Sequence, residues 1–180
     1  MKRIFLIGYM GSGKTTLGRA FAKAMGLSFV DLDWYIEERT HRTVSQLFSE
    51  EGEEGFRRLE RKMLREVSEF EDVIVACGGG TPCFSDNMNF MNENGITVFL
   101  DASHDVLFRR LKVASAGRPL IKGKTDAELR EFITAGVASR MPWYGQAKLH
   151  MDASRLENRQ QIAESVKFLS SLLEQCEQES

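Results

Sequence analysis

Short runs of apolar residues alternate along the chain with longer stretches in which apolar residues return every three or four positions. Ile4-Phe5-Leu6-Ile7 reads as a buried strand ending at Gly8. Leu17, Phe21 and Ala24 then recur at helical spacing, and Gly26 is placed to end that helix. Ser28-Phe29-Val30 leads into Asp31 as a second short strand. Phe56, Leu59, Met63, Val67 and Phe70 follow one another at helical intervals, which predicts a long amphipathic helix. Val73 to Ala76 is a third strand, stopped by Gly78-Gly79-Gly80, and Ile96 to Leu100 a fourth, ending at Asp101. Val106 to Leu111 is helical in pattern. Leu149 to Asp152 is a fifth candidate strand, and Ile162, Val166, Leu169 and Leu173 mark a last helix.

Strands alternating with helices imply parallel strands joined by helical crossovers, with helices on both faces. The strands are continuously apolar rather than alternating, as expected of a sheet covered on both sides. The expected fold is therefore α/β, with three α/β/α layers around a central five-stranded parallel sheet. In such sheets ligands bind beyond the carboxyl ends of the strands. Candidate chemistry should cluster just after each strand, and it does: Gly8 to Thr15 follow the first, Asp31 and Asp33 the second, Gly78 to Gly80 the third.

The length of 180 residues suits one domain with its own core, residues 1–180. A net charge of −2 provides no general attraction to nucleic acid or to an anionic membrane. No segment approaches the ~20 apolar residues of a membrane span, and Ile4 to Ile7 is too short for the core of a signal peptide. The three cysteines, Cys77, Cys83 and Cys176, match no zinc spacing and read as free thiols of a reducing compartment. The expected location is the cytoplasm.

Gly8-Tyr9-Met10-Gly11-Ser12-Gly13-Lys14-Thr15 satisfies G-x-x-x-x-G-K-[ST] at every fixed position. Glycines let the backbone turn its N–H groups onto phosphate oxygens, and the helix opening near Lys14 points its N-terminus at the anion. Gly11, Ser12, Gly13, Lys14, Thr15 and Thr16 are the candidate nucleotide-binding residues. Lys14 would meet the β- and γ-phosphates, and the Thr15 hydroxyl would meet Mg²⁺. A glycine-rich turn with a surface lysine is the plain alternative. The strand before the motif and the helix after it argue for a P-loop NTPase.

Other candidates surround this loop in sequence order. If the second strand continues far enough, alternation points Asp31 and Asp33 the same way. They could then divide metal binding and activation of a hydroxyl, or simply cap the following helix. Arg57, Glu60 and Arg61 lie along one stripe of the long helix, where a solvated face with internal ion pairs is the plain reading. Lys112 to Lys124 holds Gly117, Gly123 and Arg118 and reads as a mobile lid. Pro142, just after Arg140, should interrupt or kink a helix. The triple glycine Gly78, Gly79 and Gly80 bares backbone N–H groups to a ligand.

Together these residues resemble the shikimate kinases. The likeness covers the phosphate loop, Asp31-Leu32-Asp33, Phe48 to Gly52 leading to Gly55-Phe56-Arg57, Gly78-Gly79-Gly80, Arg118-Pro119-Leu120, and Arg140 with Tyr144. It implies a nucleoside-monophosphate-kinase-like P-loop fold and transfer of the γ-phosphoryl of ATP to the 3-hydroxyl of shikimate, with Mg²⁺. It implies catalytic roles for Asp33, Lys14 and Arg118, and a clamp on the shikimate carboxylate from Arg57 and Arg140. Gly78, Gly79 and Gly80 would offer N–H groups to the substrate, and Asp31 would hold the metal through a water. Arg110, or its neighbour Arg109, would lie against adenine. The family is usually monomeric. Cys77 stands where the family often has threonine, and His41 where it often has glycine. The alternatives are another small-molecule kinase, such as a gluconate kinase, or a nucleotide-binding module without catalysis.

Overall fold

The computed structural model describes residues 2–114 and 120–178. Five parallel strands form one sheet: β1 (Arg3–Ile7), β2 (Ser28–Asp31), β3 (Val73–Ala76), β4 (Ile96–Asp101) and β5 (Leu149–Asp152), in the order β2-β3-β1-β4-β5. The helices are α1 (Lys14–Met25), α2 (Leu32–Thr40), α3 (Val44–Val67), α4 (Asn87–Asn94), α5 (His104–Val113), α6 (Asp126–Tyr144) and α7 (Arg159–Gln178). A short 3-10 turn, Thr81–Cys83, follows β3.

Alternate residues of each strand feed two cores. Ile4, Leu6, Ile74, Val98, Leu100 and Met151 pack on one side against α1 and α7 through Leu17, Phe21, Leu169 and Leu173. Phe5, Ile7, Val73, Val75 and Phe99 face the other side, where α2 to α6 cover them. The three layers follow, and β1, β3 and β4 are covered on both faces, while edge strand β5 exposes His150 and Asp152. Chain order reverses beside β1, whose neighbours are β3 and β4. The crevice beyond the carboxyl ends of β1 and β3 is thus the place for a ligand.

The five strands and α1, α5 and α7 fall where the apolar pattern places them. Differences have local causes. The long helix α3 starts at Val44 under a Thr43/Gln46 capping box and breaks at Gly52 (φ 70°, ψ 177°). It stops at Val67, so Phe70 lies outside it and packs edge-on against Tyr35, ring centroids 6.0 Å apart. β2 ends at Asp31 and α2 starts at Leu32, so helix geometry rather than strand alternation orients Asp33. α4 and α6 were not legible in the pattern. α6 runs through Pro142 and ends two residues later at Tyr144, so the proline does not stop it. His41 ends α2 in the left-handed region (φ 54°, ψ 29°), which explains a preference for glycine there.

Candidate active site

The phosphate loop joins β1 to α1. Gly8 (φ 147°) lets the chain pass so close to β4 that a Cβ would lie 2.7 Å from the Leu100 carbonyl oxygen. Gly13 is left-handed (φ 98°) and starts α1 with no side-chain cap, leaving the helix N-terminus to an anion. The Lys14 ammonium donates to the Gly8 and Tyr9 carbonyls at 2.7 and 3.0 Å. Ser12 is buried under the loop, and Thr16 faces the cleft.

Beside it, the Thr15 hydroxyl donates to Asp31 Oδ2 at 2.8 Å, and Asp31 Oδ1 accepts from the Trp34 backbone N–H at 3.4 Å. Asp31 therefore caps α2 and also adjoins the phosphate loop. A hydroxyl and a carboxylate side by side are hard oxygen donors, a set that suits Mg²⁺ and not a soft metal.

Asp33 is the second residue of α2, in its first turn. Burial, then the neighbouring Asp31 and Glu60 carboxylates, push its carboxyl up to about 6, against the pull of Lys14. A Cβ at Gly78 would come within 3.3 Å of Asp33 Oδ1, 3.4 Å of Glu60 Oε1 and 3.1 Å of Thr81 Oγ. Three oxygens thus converge on a position with no side chain.

Arg57 and Glu60 are not on a solvated face. The Glu60 side chain is 1% exposed and its Oε2 accepts from Arg57 Nη1 at 2.8 Å. Arg57 Nε is buried without a hydrogen-bond partner among the described residues, and the guanidinium lies 4.0 Å from the Phe84 ring centroid. Arg61, by contrast, is exposed and paired with Asp86 at 2.9 Å. Arg140 projects from α6 over the Tyr9 ring, 5.3 Å to the centroid, and donates to the Gly136 carbonyl at 2.8 Å. Burial raises the Cys83 thiol, and the Arg140 and Arg57 guanidiniums both pull it back.

The triple glycine has a steric reason. None of Gly78, Gly79 and Gly80 has positive φ. A Cβ at Gly80 would meet Arg57 Nη2 at 2.6 Å, and one at Gly79 would lie 3.4 Å from the Met10 backbone nitrogen. The Gly79 carbonyl accepts from the Tyr144 hydroxyl at 2.6 Å. The turn is slim because the phosphate loop and Arg57 press on it.

A cleft of about 1080 Å³ is lined among others by Lys14, Thr15, Asp31, Asp33, Gly78 and Gly79, whereas Arg57 lines a separate pocket with Phe84 and Ser85. At its far end lie Arg110, Leu120, Leu156 and Glu157. Arg110 is held by Glu157 at 2.8 Å, the Gly11 carbonyl at 3.1 Å and the Ala153 carbonyl at 3.0 Å. Arg109 is on the exposed side of α5, so Arg110 is the arginine at the cleft. Arg118 lies outside the described residues. The flanks of its segment are tied down: Lys112 belongs to α5 and pairs with Asp126 at 2.7 Å, and Ile121 is buried.

Sequence reasoning did not single out Thr81, Phe84, Phe48 or Glu157. Only contacts across the fold distinguish them. The 3-10 turn is too short for periodicity, and an isolated aromatic reads as core.

The shikimate kinase family model matches residues 10–170. The chain is 61% identical over 173 residues to a shikimate kinase of Phocaeicola vulgatus, covering 96% of this chain and 99% of that one. The 1.7 Å crystal structure of shikimate kinase from Bacteroides thetaiotaomicron is similar with a TM-score of 0.91 at 56% identity, covering 96% of this chain and 98% of that one. Shikimate kinase from Acinetobacter baumannii, in complex with shikimate, is similar with a TM-score of 0.84 at 29% identity, covering 96% and 93%.

Proposed function

The chain belongs to the shikimate kinase family, and we propose that Asp33, Lys14 and Arg118 carry its reaction while Arg57 and Arg140 hold its acceptor. The reaction moves the γ-phosphoryl of ATP to the 3-hydroxyl of shikimate, giving shikimate 3-phosphate and ADP, with Mg²⁺. The observation that carries this division of labour is the place of Asp33. Its raised carboxyl feels Lys14 on the nucleotide side and Glu60, the partner of Arg57, on the other.

Shikimate binds with its carboxylate between Arg57 and Arg140, whose guanidinium forks match a carboxylate in plane. Arg57 Nε, which makes no hydrogen bond among the described residues and lies 3.8 Å from Glu53 Oε1, is one donor of that fork. Backbone N–H groups of Gly78, Gly79 and Gly80 line the ring. Asp33 accepts the proton of the 3-hydroxyl as its oxygen bonds to the γ-phosphorus. The bond from that phosphorus to the bridging oxygen breaks, and the electron pair leaves with ADP. A carboxylate of raised affinity for protons is a better base than an ordinary one and is still ionised at neutral pH.

The N–H groups of Gly11 to Thr16 and the Lys14 ammonium cradle the phosphates. Thr15, with Asp31 acting through a water, would hold Mg²⁺, which would supply charge neutralisation to the phosphates. Arg110 and Leu156 form the slot for the base. Arg118 closes over the transferring group with the lid of about residues 112–124, which shuts out water. The protein acts as a monomer of a single domain in the cytoplasm. In support, Cys77 and Cys83 are free thiols, and no described helix is long and apolar enough to cross a membrane.

An ADP-release assay with Mg-ATP and either shikimate, gluconate or no acceptor tests the reading. Stimulation by shikimate alone is expected. Stimulation by gluconate instead would overturn the arginine clamp.

A further inference from the structure

We propose that Thr81 is a positioning residue for substrate binding, setting the orientation of Arg57 through Glu60. The inference rests on the assignment of Arg57 to the shikimate carboxylate.

Thr81 is fully buried, yet it carries a hydroxyl, and that hydroxyl donates to Glu60 Oε1 at 2.6 Å. The other oxygen of Glu60 takes Arg57 Nη1. A carboxylate this deep is held in one orientation only while both oxygens are engaged. Thr81 is itself anchored at both ends of its peptide. Its N–H donates to the Gly78 carbonyl at 3.1 Å, and its carbonyl accepts from Asn87 Nδ2 at 2.9 Å. Asn87 is fully buried on α4, so the hydroxyl stands on a fixed support. The same turn leads to Phe84, whose ring carries the face of the guanidinium.

Two constraints therefore act on one planar group. Phe84 sets the plane, and the Thr81–Glu60 pair sets the rotation within it. Nε, with the exposed Glu53 carboxylate 3.8 Å away, and the edge of Nη2 are left for the pair of bonds a bidentate carboxylate needs. Such recognition is lost when the fork is misaligned by more than ~10–20°. Arg57 would still be present without the Thr81 hydroxyl, but Glu60 could swing and carry it away from that angle. A buried residue that merely filled space would be served as well by valine.

Steady-state kinetics of the full chain test this with Thr81→Val, Thr81→Ser, Arg57→Ala and the Thr81→Val/Arg57→Ala double variant. Thr81→Val is expected to raise the shikimate KM about tenfold, the scale of one lost hydrogen bond to a charged group, while the ATP KM stays within about twofold. Thr81→Ser, which keeps the donor, restores shikimate binding. In the Arg57→Ala background Thr81→Val adds nothing, because the group it orients is gone. Thr81→Ala, which removes the hydroxyl without adding a donor, replaces Thr81→Val with the same expectations where the valine variant does not fold. A wild-type shikimate KM in Thr81→Val with a raised one in Arg57→Ala would overturn the positioning role and leave the clamp standing. A wild-type value in Arg57→Ala would overturn the clamp, and the positioning role with it. Equal losses for both substrates, or the same loss with and without Arg57, would make Thr81 structural and overturn the proposal.

Discussion

Asp33 shows how one residue carries opposed demands. Its carboxyl is pushed up by burial first and then by Asp31, Glu60 and Glu37, against Lys14. In the unfolded chain the same group ionises near the ordinary carboxylate value. Below about pH 4 both states are protonated and the group is neutral to stability. Above about pH 6 both are ionised, and the folded state carries the full penalty, on the order of 2 to 3 kcal/mol. Asp33→Asn should therefore stabilise the protein at pH 7 by about 2 kcal/mol, and the gain should vanish in thermal melts below about pH 4. The same variant should lose activity by at least ~10²-fold, since no other group takes the proton. In the native enzyme kcat/KM for shikimate should fall as pH drops through about 6, where Asp33 protonates. A profile flat from pH 5 to 8 would remove Asp33 as the base. The residue type was legible from its place after β2. Its tuning was not, because burial, its largest cause, appears only in the fold, and Glu60 reads in the sequence as one more charge on an exposed stripe.

At the scale of elements, continuous apolar runs make the strands legible because both faces of the sheet are covered. Helices fail to announce themselves when their buried faces are interrupted. α6 buries Leu129, Ile133, Val137 and Tyr144 but carries Gly136 and Pro142, and Gly136 leaves room for the Tyr9 ring rather than filling the core. The turn after β3 teaches a related lesson. Gly80 has φ −93° and ψ −11°, open to any residue, so its smallness serves Arg57 and not the backbone. Gly80→Ala should thus lower thermal stability, because the guanidinium it displaces is paired with buried Glu60. It should also raise the shikimate KM severalfold by displacing the guanidinium, with the ATP KM unchanged. Equal effects on both substrates would mean that the turn itself had shifted. The end of α2 makes the opposite case. His41 is exposed and left-handed, so His41→Gly should add about 0.5–1 kcal/mol to stability, read in denaturant melts, without touching activity.

Across the whole molecule, the strand order places the phosphate loop, the α2 carboxylates and the triple-glycine turn around one crevice at the carboxyl ends of β1, β2 and β3. That clustering was readable before any coordinates, since each group directly follows an apolar run. The acceptor side was less so. Arg140 comes to lie over Tyr9 of the phosphate loop only through α6, a contact between residues far apart in sequence. Closure is the remaining demand on the fold. Lys112–Asp126 and buried Ile121 hold the two ends of the lid segment near the cleft, where Leu120 already lines the wall. If Arg118 meets the phosphoryl group mainly as it transfers, Arg118→Ala should lower kcat by ~10²-fold or more. Both KM values should change little, because interactions made only in the transition state do not show in ground-state binding. A loss confined to the ATP KM would instead make Arg118 a nucleotide-binding residue, and the charge stabilisation at the γ-phosphoryl would then fall to Lys14.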